Sequence, residues 1–248
     1  MKFKTFYTLF YKHRFNKANI ILKLYLAFIL PIKYFINIFY FEKKINLDSY
    51  SSNNEFLYKK DLNFLFEYFN SDKGDKFTNQ YAQPIKKKFN VLKAHGYSKY
   101  YEKIFSSKKN EKINIIEIGS FYGNASAALF FYFKNANIYG ADINPDMFKY
   151  ISNRIKSFYI DSSSVESIKN EILDKNIYFD IIIEDASHML KDQIISLFML
   201  FPVIKSGGYF IVEEIDFPET REDMRLNQEM PDLKTILRSI CDNKDFKS

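Results

Sequence analysis

Residues 181–190, Ile-Ile-Ile-Glu-Asp-Ala-Ser-His-Met-Leu, put two carboxylates and an imidazole directly after a run of isoleucines. The run begins at Tyr178-Phe-Asp and reads as a strand buried on both faces. A buried charge is costly unless it is paired or bound to a metal. The end of this strand must therefore open to water or meet a ligand. A second acidic pair, Glu213 and Glu214, closes the next apolar run, Gly-Gly-Tyr-Phe-Ile-Val-Glu-Glu. Adjacent parallel strands lie about 5 Å apart, so Asp185 can face Glu213 or Glu214. Three clustered carboxylates repel unless they are protonated or neutralised, and a hard divalent cation such as Mg²⁺ accepts such oxygen ligands. His188 stands beside them as a candidate general base, poised to take a proton. Metal plus base is the equipment for attack by an alcohol, whose hydroxyl is a poor nucleophile at neutral pH.

A parallel sheet would position these groups. Strand-like runs at 112–120, 136–143, 157–161, 178–185 and 207–215 alternate with helical patterns at 124–134, 145–155, 165–175 and 191–204. That alternation predicts an α/β fold with a doubly wound, mostly parallel sheet, where ligands bind beyond the carboxyl ends of the strands. Before it, 62–69 carries apolar residues at helical spacing, then the loop Ser71-Asp72-Lys73-Gly74, and 95–107 again reads as a helix.

The first strand runs into Glu117-Ile-Gly-Ser-Phe-Tyr-Gly-Asn-Ala-Ser126. The dinucleotide pattern Gly-x-Gly-x-x-Gly, counted from Gly119, needs glycine at 121 and 124, where Phe121 and Asn124 stand. Glu117 adds negative charge that disfavours a bare phosphate. The loop Gly119-Ser120 to Gly123 thus suits a nucleoside without phosphates, and S-adenosylmethionine fits that description. Asp142 ends the next strand, at the spacing of a carboxylate that accepts ribose hydroxyls, and Asp161 follows as a candidate border of the adenine.

Charge divides the chain. Of 36 Lys/Arg and 30 Asp/Glu, residues 1–50 hold nine and two, giving +7, and the remainder hold 27 and 28, giving −1. A neutral body with a basic arm is not the footprint of nucleic-acid binding. The arm's segment 18–41 is the most apolar of the chain, yet Lys23, Lys33 and Pro31 interrupt it, so it falls short of a membrane span. Its expected places are a membrane interface, through residues 1–45, or a helical cap on the domain or on a second subunit of a homo-oligomer. Residues 46–55 read as a linker, which divides the chain into an arm at 1–55 and a domain at 56–248. One cysteine, Cys241, excludes an intramolecular disulfide and fits a cytoplasmic setting, at the inner face of a membrane if the arm touches lipid. The abundance of Lys, Asn, Ile, Phe and Tyr is what an AT-rich bacterial genome produces.

Residues 71–74, 95–105, 115–123, 139–143, 184–193 and 200–214 resemble the metal-dependent macrocin/mycinamicin-type sugar O-methyltransferases, with which cephalosporin-hydroxylase-type proteins share the pattern. The resemblance implies a Rossmann-like class I methyltransferase acting on a sugar hydroxyl of a polysaccharide or glycosylated metabolite. A hydroxylase-like enzyme of the same fold, or a degenerate membrane-associated scaffold that binds cofactor without turnover, are the alternatives. It implies Mg²⁺ on Asp185, Glu213 and Glu214, with His188 as base. Two positions depart from the family: Glu-Asp-Ala-Ser-His replaces Asp-Asp-Gly-Ser-His, and Glu213-Glu214 replaces Glu-Asp. Sheets of this class close with two further strands, for which no apolar run follows Glu214, so the C-terminal strands are expected to be missing.

Overall fold

The computed structural model describes residues 3–11, 15, 18–38, 44–78, 91–216, 221–225 and 231–243. Five parallel strands form the central sheet: β1 (Asn114–Ile118), β2 (Asn137–Asp142), β3 (Ile155–Tyr159), β4 (Phe179–Glu184) and β5 (Ile204–Val212). Their order is β3-β2-β1-β4-β5, so it reverses between β1 and β4. Period-2 alternation sends neighbouring strand residues to opposite layers. Ile115, Ile138, Ile181 and Ile183 pack into one layer with helices α1 (Leu62–Tyr68), α2 (Ser98–Phe105) and α3 (Asn124–Tyr132). Ile116, Ile118, Tyr139 and Ile182 pack into the other with α4 (Val165–Glu171) and α5 (Leu190–Leu200). Both faces are covered, which is why isoleucines stand side by side in β1 and β4 instead of alternating with polar residues. Among the described residues β5 holds one edge, and helix α6 (Leu233–Asn243) packs its Leu233 on Leu190 and Leu197 of α5.

Three readings of the sequence are corrected. The helix expected over 145–155 is one short turn, Pro145–Met147, followed by an extended pair, Tyr150–Ile151. Phe148 turns its ring inward against Gly123 and Gly140, and Tyr150–Ile151 pairs in parallel with Ile45–Asn46. A ring buried there and strand partners at 45–46 outweigh the helical spacing. The same contacts overturn the linker reading of 46–55. Asn46 caps a helix over Leu47–Asn53, Leu47 is fully buried in the domain core, and Asp48 accepts from Ser152 Oγ and Asn153 N. Finally, the helix Ile20–Ile38 runs through Pro31. Pro31 and Ala27 are both exposed, so the carbonyl that loses its donor faces water. Among the described residues no helix is long and apolar enough to cross a membrane.

Candidate active site

The carboxyl ends of β1 and β4 meet where the strand order reverses, the place such sheets bind ligands. Asp185 N donates to Ile118 O, pinning the end of β4 to β1 at 2.9 Å. Gly119 adopts φ +89°, and a Cβ there would collide with the carbonyl oxygen of Asp185. Glycine at 119 is thus required by the approach of Asp185, whatever ligand follows. Gly123, φ +76°, leaves room for Phe148 and opens α3. Among the described residues five other than glycine have positive φ: Asn70, Phe121, Asn176, His188 and Glu214. Asparagine tolerates this region; the other three all belong to the candidate site, where backbone strain concentrates.

A cleft at this junction is lined by Ser71, Asp72, Lys73, Glu117, Gly119, Ser120, Phe121, Tyr122, Asn124, Ala125 and Asp185. Ser120 Oγ is buried in it with no hydrogen-bond partner. Asp142 lies behind the loop: its carboxylate accepts from Phe121 N and Asn144 N, both at 2.8 Å. Burial raises its pKa, and those two backbone bonds oppose the rise. Its first task is to shape the loop. Asp161 accepts from Ser163 N and Ser163 Oγ in its own turn and does not line the cleft. That local bond gives the acid a partner, so the structure does not bring Asp161 to the site.

Lys73 joins the acids, and the sequence reading gave it no role. Its ammonium is buried, 2.5 Å from Asp185 Oδ2, 2.7 Å from Glu213 Oε2 and 3.6 Å from Glu117 Oε1. Backbone bonds from Ser98 N to Lys73 O and from His95 N to Asp72 O hold its loop against the segment before α2. Burial works to lower the lysine pKa, but Asp185, Glu213 and Glu117 outweigh it and hold the group well above the usual range. Burial pushes Glu117 up to about 7, Lys73 and Ser126 Oγ opposing, so the negative charge read at the loop is part-neutralised near neutral pH. Burial, then Asp185, raises Glu213 as well. Tyr101 donates its hydroxyl to Glu213. Glu214, turned away by its positive φ, accepts from Tyr97 Oη at 2.8 Å and sits 3.0 Å from His95 Nδ1. His188 Nε2 lies 3.8 Å from Asp185 Oδ1. Asp185, Glu213 and His188 therefore converge as expected, with Glu214 one residue further out. Beneath them Glu184 is fully buried and has no side-chain partner; burial, then the charges of Asp185 and Asp192, raise it to about 8.

Among the described residues no group of three His, Cys, Asp or Glu is placed to hold a metal ion as the side chains stand, and Lys73 Nζ occupies the space between Asp185 and Glu213. The donor chemistry nonetheless fits a hard cation. One ammonium faces the carboxylates of Glu117, Asp185 and Glu213, with Glu214 beside them, an excess of acid that a hard cation would offset. The cleft likewise fits a cationic nucleoside: an unpartnered buried hydroxyl, a tight glycine turn and acids along one wall.

A sequence profile described as a methyltransferase domain matches residues 109–247. The chain is 27% identical over 128 residues to the 8-demethyl-8-alpha-L-rhamnosyl tetracenomycin-C 2'-O-methyltransferase of Streptomyces olivaceus, covering 49% of this chain and 33% of that protein. It is 28% identical over 135 residues to the mycinamicin VI 2''-O-methyltransferase of Micromonospora griseorubida, covering 52% and 33%. The chain thus matches about a third of the length of these curated relatives. The solved MycE methyltransferase of the mycinamycin biosynthetic pathway, in complex with Mg, SAH and mycinamycin VI, superposes with a TM-score of 0.58 at 20% identity, over 74% of this chain and 48% of that one. That likeness shows a shared fold.

Proposed function

The chain belongs to the methyltransferase-domain family, and from that premise we propose that it is an S-adenosylmethionine-dependent O-methyltransferase acting on a hydroxyl of a sugar, in a polysaccharide or a glycosylated metabolite. The observation that carries the reading is the junction of β1 and β4, where the Gly119 turn and Asp185 line one cleft and His188 Nε2 lies 3.8 Å from Asp185 Oδ1. The relatives that act on a rhamnosyl tetracenomycin and on mycinamicin VI support the acceptor class.

The residues divide the work. The acid-lined wall draws in a cationic ligand, and Ser120 Oγ offers a hydrogen bond inside the cleft. Asp142 fixes the loop through Phe121 N and keeps lone pairs for ribose hydroxyls. When bound, S-adenosylmethionine supplies an electrophilic methyl group. His188 Nε2 takes the proton of the acceptor hydroxyl, and Asp185 stabilises the imidazolium so formed. Asp185, Glu213 and Glu214 would hold a divalent cation, which supplies orientation and a lowered pKa for the acceptor hydroxyl. Lys73 and Tyr101 keep Glu213 in place by direct bonds. Residues 1–45 are read as a peripheral contact at the inner face of the membrane, supported by their charge and by the apolar residues they expose.

The test is calorimetric titration of S-adenosylmethionine into the purified chain, with Mg²⁺ and with chelator, followed by transfer of labelled methyl to rhamnosyl and other glycosyl acceptors. Binding with metal-enhanced transfer is expected. Absence of cofactor binding under both conditions would remove the proposal.

A further inference from the structure

Helix Ile20–Ile38 buries one narrow stripe, Leu26 and Leu30, against Phe6 and Tyr11 of a hairpin begun by the helix Phe3–Phe10. All members of this small cluster come from residues 6–34. The other face of the helix is apolar and open. Ile21, Leu24, Tyr25, Phe28, Ile32 and Phe35 are 47–76% exposed. They stand at i, i+3, i+4, i+7, i+11 and i+14, which is one continuous side of an α-helix. Lys23 and Lys33, three residues from Leu26 and Leu30 respectively, flank the buried stripe and leave the open face without charge. A soluble monomer rarely presents such a surface.

We infer that this face lies flat in the interface of an anionic lipid leaflet, with Leu24, Phe28 and Phe35 inserted and the Phe3–Phe10 helix on the water side. Three observations select this occupant. No described helix is long and apolar enough to cross a membrane, which leaves an in-plane arrangement for a helix of about 28 Å. Residues 1–50 carry +7 while the rest of the chain carries −1, so the segment that bears the open apolar face is also the basic one, as attraction to an anionic surface requires. A second copy would bring another +7 against the first, an arrangement that like-charge repulsion disfavours. The inference deepens the membrane reading of residues 1–45 and is independent of the methyl-transfer reading.

The test uses the full chain and vesicles of phosphatidylglycerol with phosphatidylethanolamine, against vesicles of phosphatidylcholine alone. The chain contains no tryptophan, so Phe28→Trp supplies a single reporter whose emission shifts to the blue on insertion. Flotation should show anionic vesicles bound at least about tenfold more tightly than neutral ones, with the preference lost in high salt. The triple variant Leu24→Ser/Phe28→Ser/Phe35→Ser, all at exposed positions, should lose roughly hundredfold in vesicle affinity while still binding S-adenosylmethionine as the parent does. Equal binding to both vesicles, binding to neither, or a triple variant that binds like the parent overturns the inference. So does a dimer in lipid-free solution that the triple variant dissociates, which assigns the face to a second copy. Loss of cofactor binding with vesicle binding intact would sink the methyl-transfer reading alone.

Discussion

Replacing Lys73 by methionine keeps the unbranched side chain to within one atom of its length and removes its charge from the acidic centre. Lys73 makes two close ion pairs, at 2.5 and 2.7 Å, and its side chain is 2% exposed, so water cannot replace the lost partner. Removing one member of a buried pair costs about 3–5 kcal/mol, because the remaining charge is left uncompensated. Here the remainder is Asp185, Glu213 and Glu117. The carboxyls of Glu213 and Glu117 are already raised by burial, and Lys73 is among the influences holding them down. Without it both rise further, so the folded variant binds more protons near neutrality than the folded parent. By linkage the variant then regains stability, relative to the parent, as pH falls. The expected penalty is about 3–5 kcal/mol at pH 8, a loss of roughly 10 °C in melting temperature for a chain of this size, and smaller by about 1–3 kcal/mol at pH 5. Urea unfolding followed by circular dichroism at both pH values measures it. A penalty below about 1 kcal/mol that does not change with pH would refute the account of Lys73 as the internal counter-ion.

Other substitutions probe separate links. Gly119→Ala should destabilise by more than about 3 kcal/mol in urea, since φ +89° strains it and the added Cβ meets the Asp185 carbonyl; a loss below about 1 kcal/mol would mean the turn can yield. His188→Gln should lower kcat by about 10²–10⁴-fold and leave cofactor affinity unchanged; if His95→Gln has that effect instead, the base is His95. Glu184, at about 8, carries a proton in the folded chain that the unfolded chain sheds near 4.5, so its contribution fades as pH rises between those values. Glu184→Gln should therefore match the parent at pH 4 and exceed it by about 3–5 kcal/mol at pH 9, and parallel pH–stability curves would contradict this.

Sequence reading reached the parts of this site that local signals encode. The isoleucine runs of β1 and β4 declare strands buried on both faces, and a strand buried on both faces can end in acids only at an open edge or a ligand site. From that, Asp185, His188 and Glu213 follow at the ends of strands, and the structure brings them together. Spacing was a poorer guide where a tertiary contact competes. The apolar positions of 145–155 are compatible with a helix, but Phe148 fills the space left by Gly123 and Gly140, and that space is invisible before the two glycines are brought together. Asp161 reads as a strand-end acid and is spent on Ser163, two residues away.

Lys73 marks the limit more sharply. It lies 112 positions before Asp185 and 140 before Glu213, in a loop whose residues show no periodicity at all. The only sequence signal for it was the Ser-Asp-Lys-Gly motif shared with a resembling family, which locates a residue without saying what it touches. Yet it controls the reading of the acids. Three carboxylates alone argue for a metal; with an ammonium 2.5 and 2.7 Å from two of them, the cluster holds a cation of its own and retains an excess of acid. A divalent ion must then enter beside Lys73, toward Glu214, or displace it from between Asp185 and Glu213. The two routes differ in a measurable way. Displacement makes ion affinity rise strongly in Lys73→Met, because the competitor is gone. Entry beside Lys73 leaves the affinity change small and makes it depend on Glu214→Gln instead. Which of the two variants moves the Mg²⁺ affinity decides whether Lys73 occupies the ion's place or borders it.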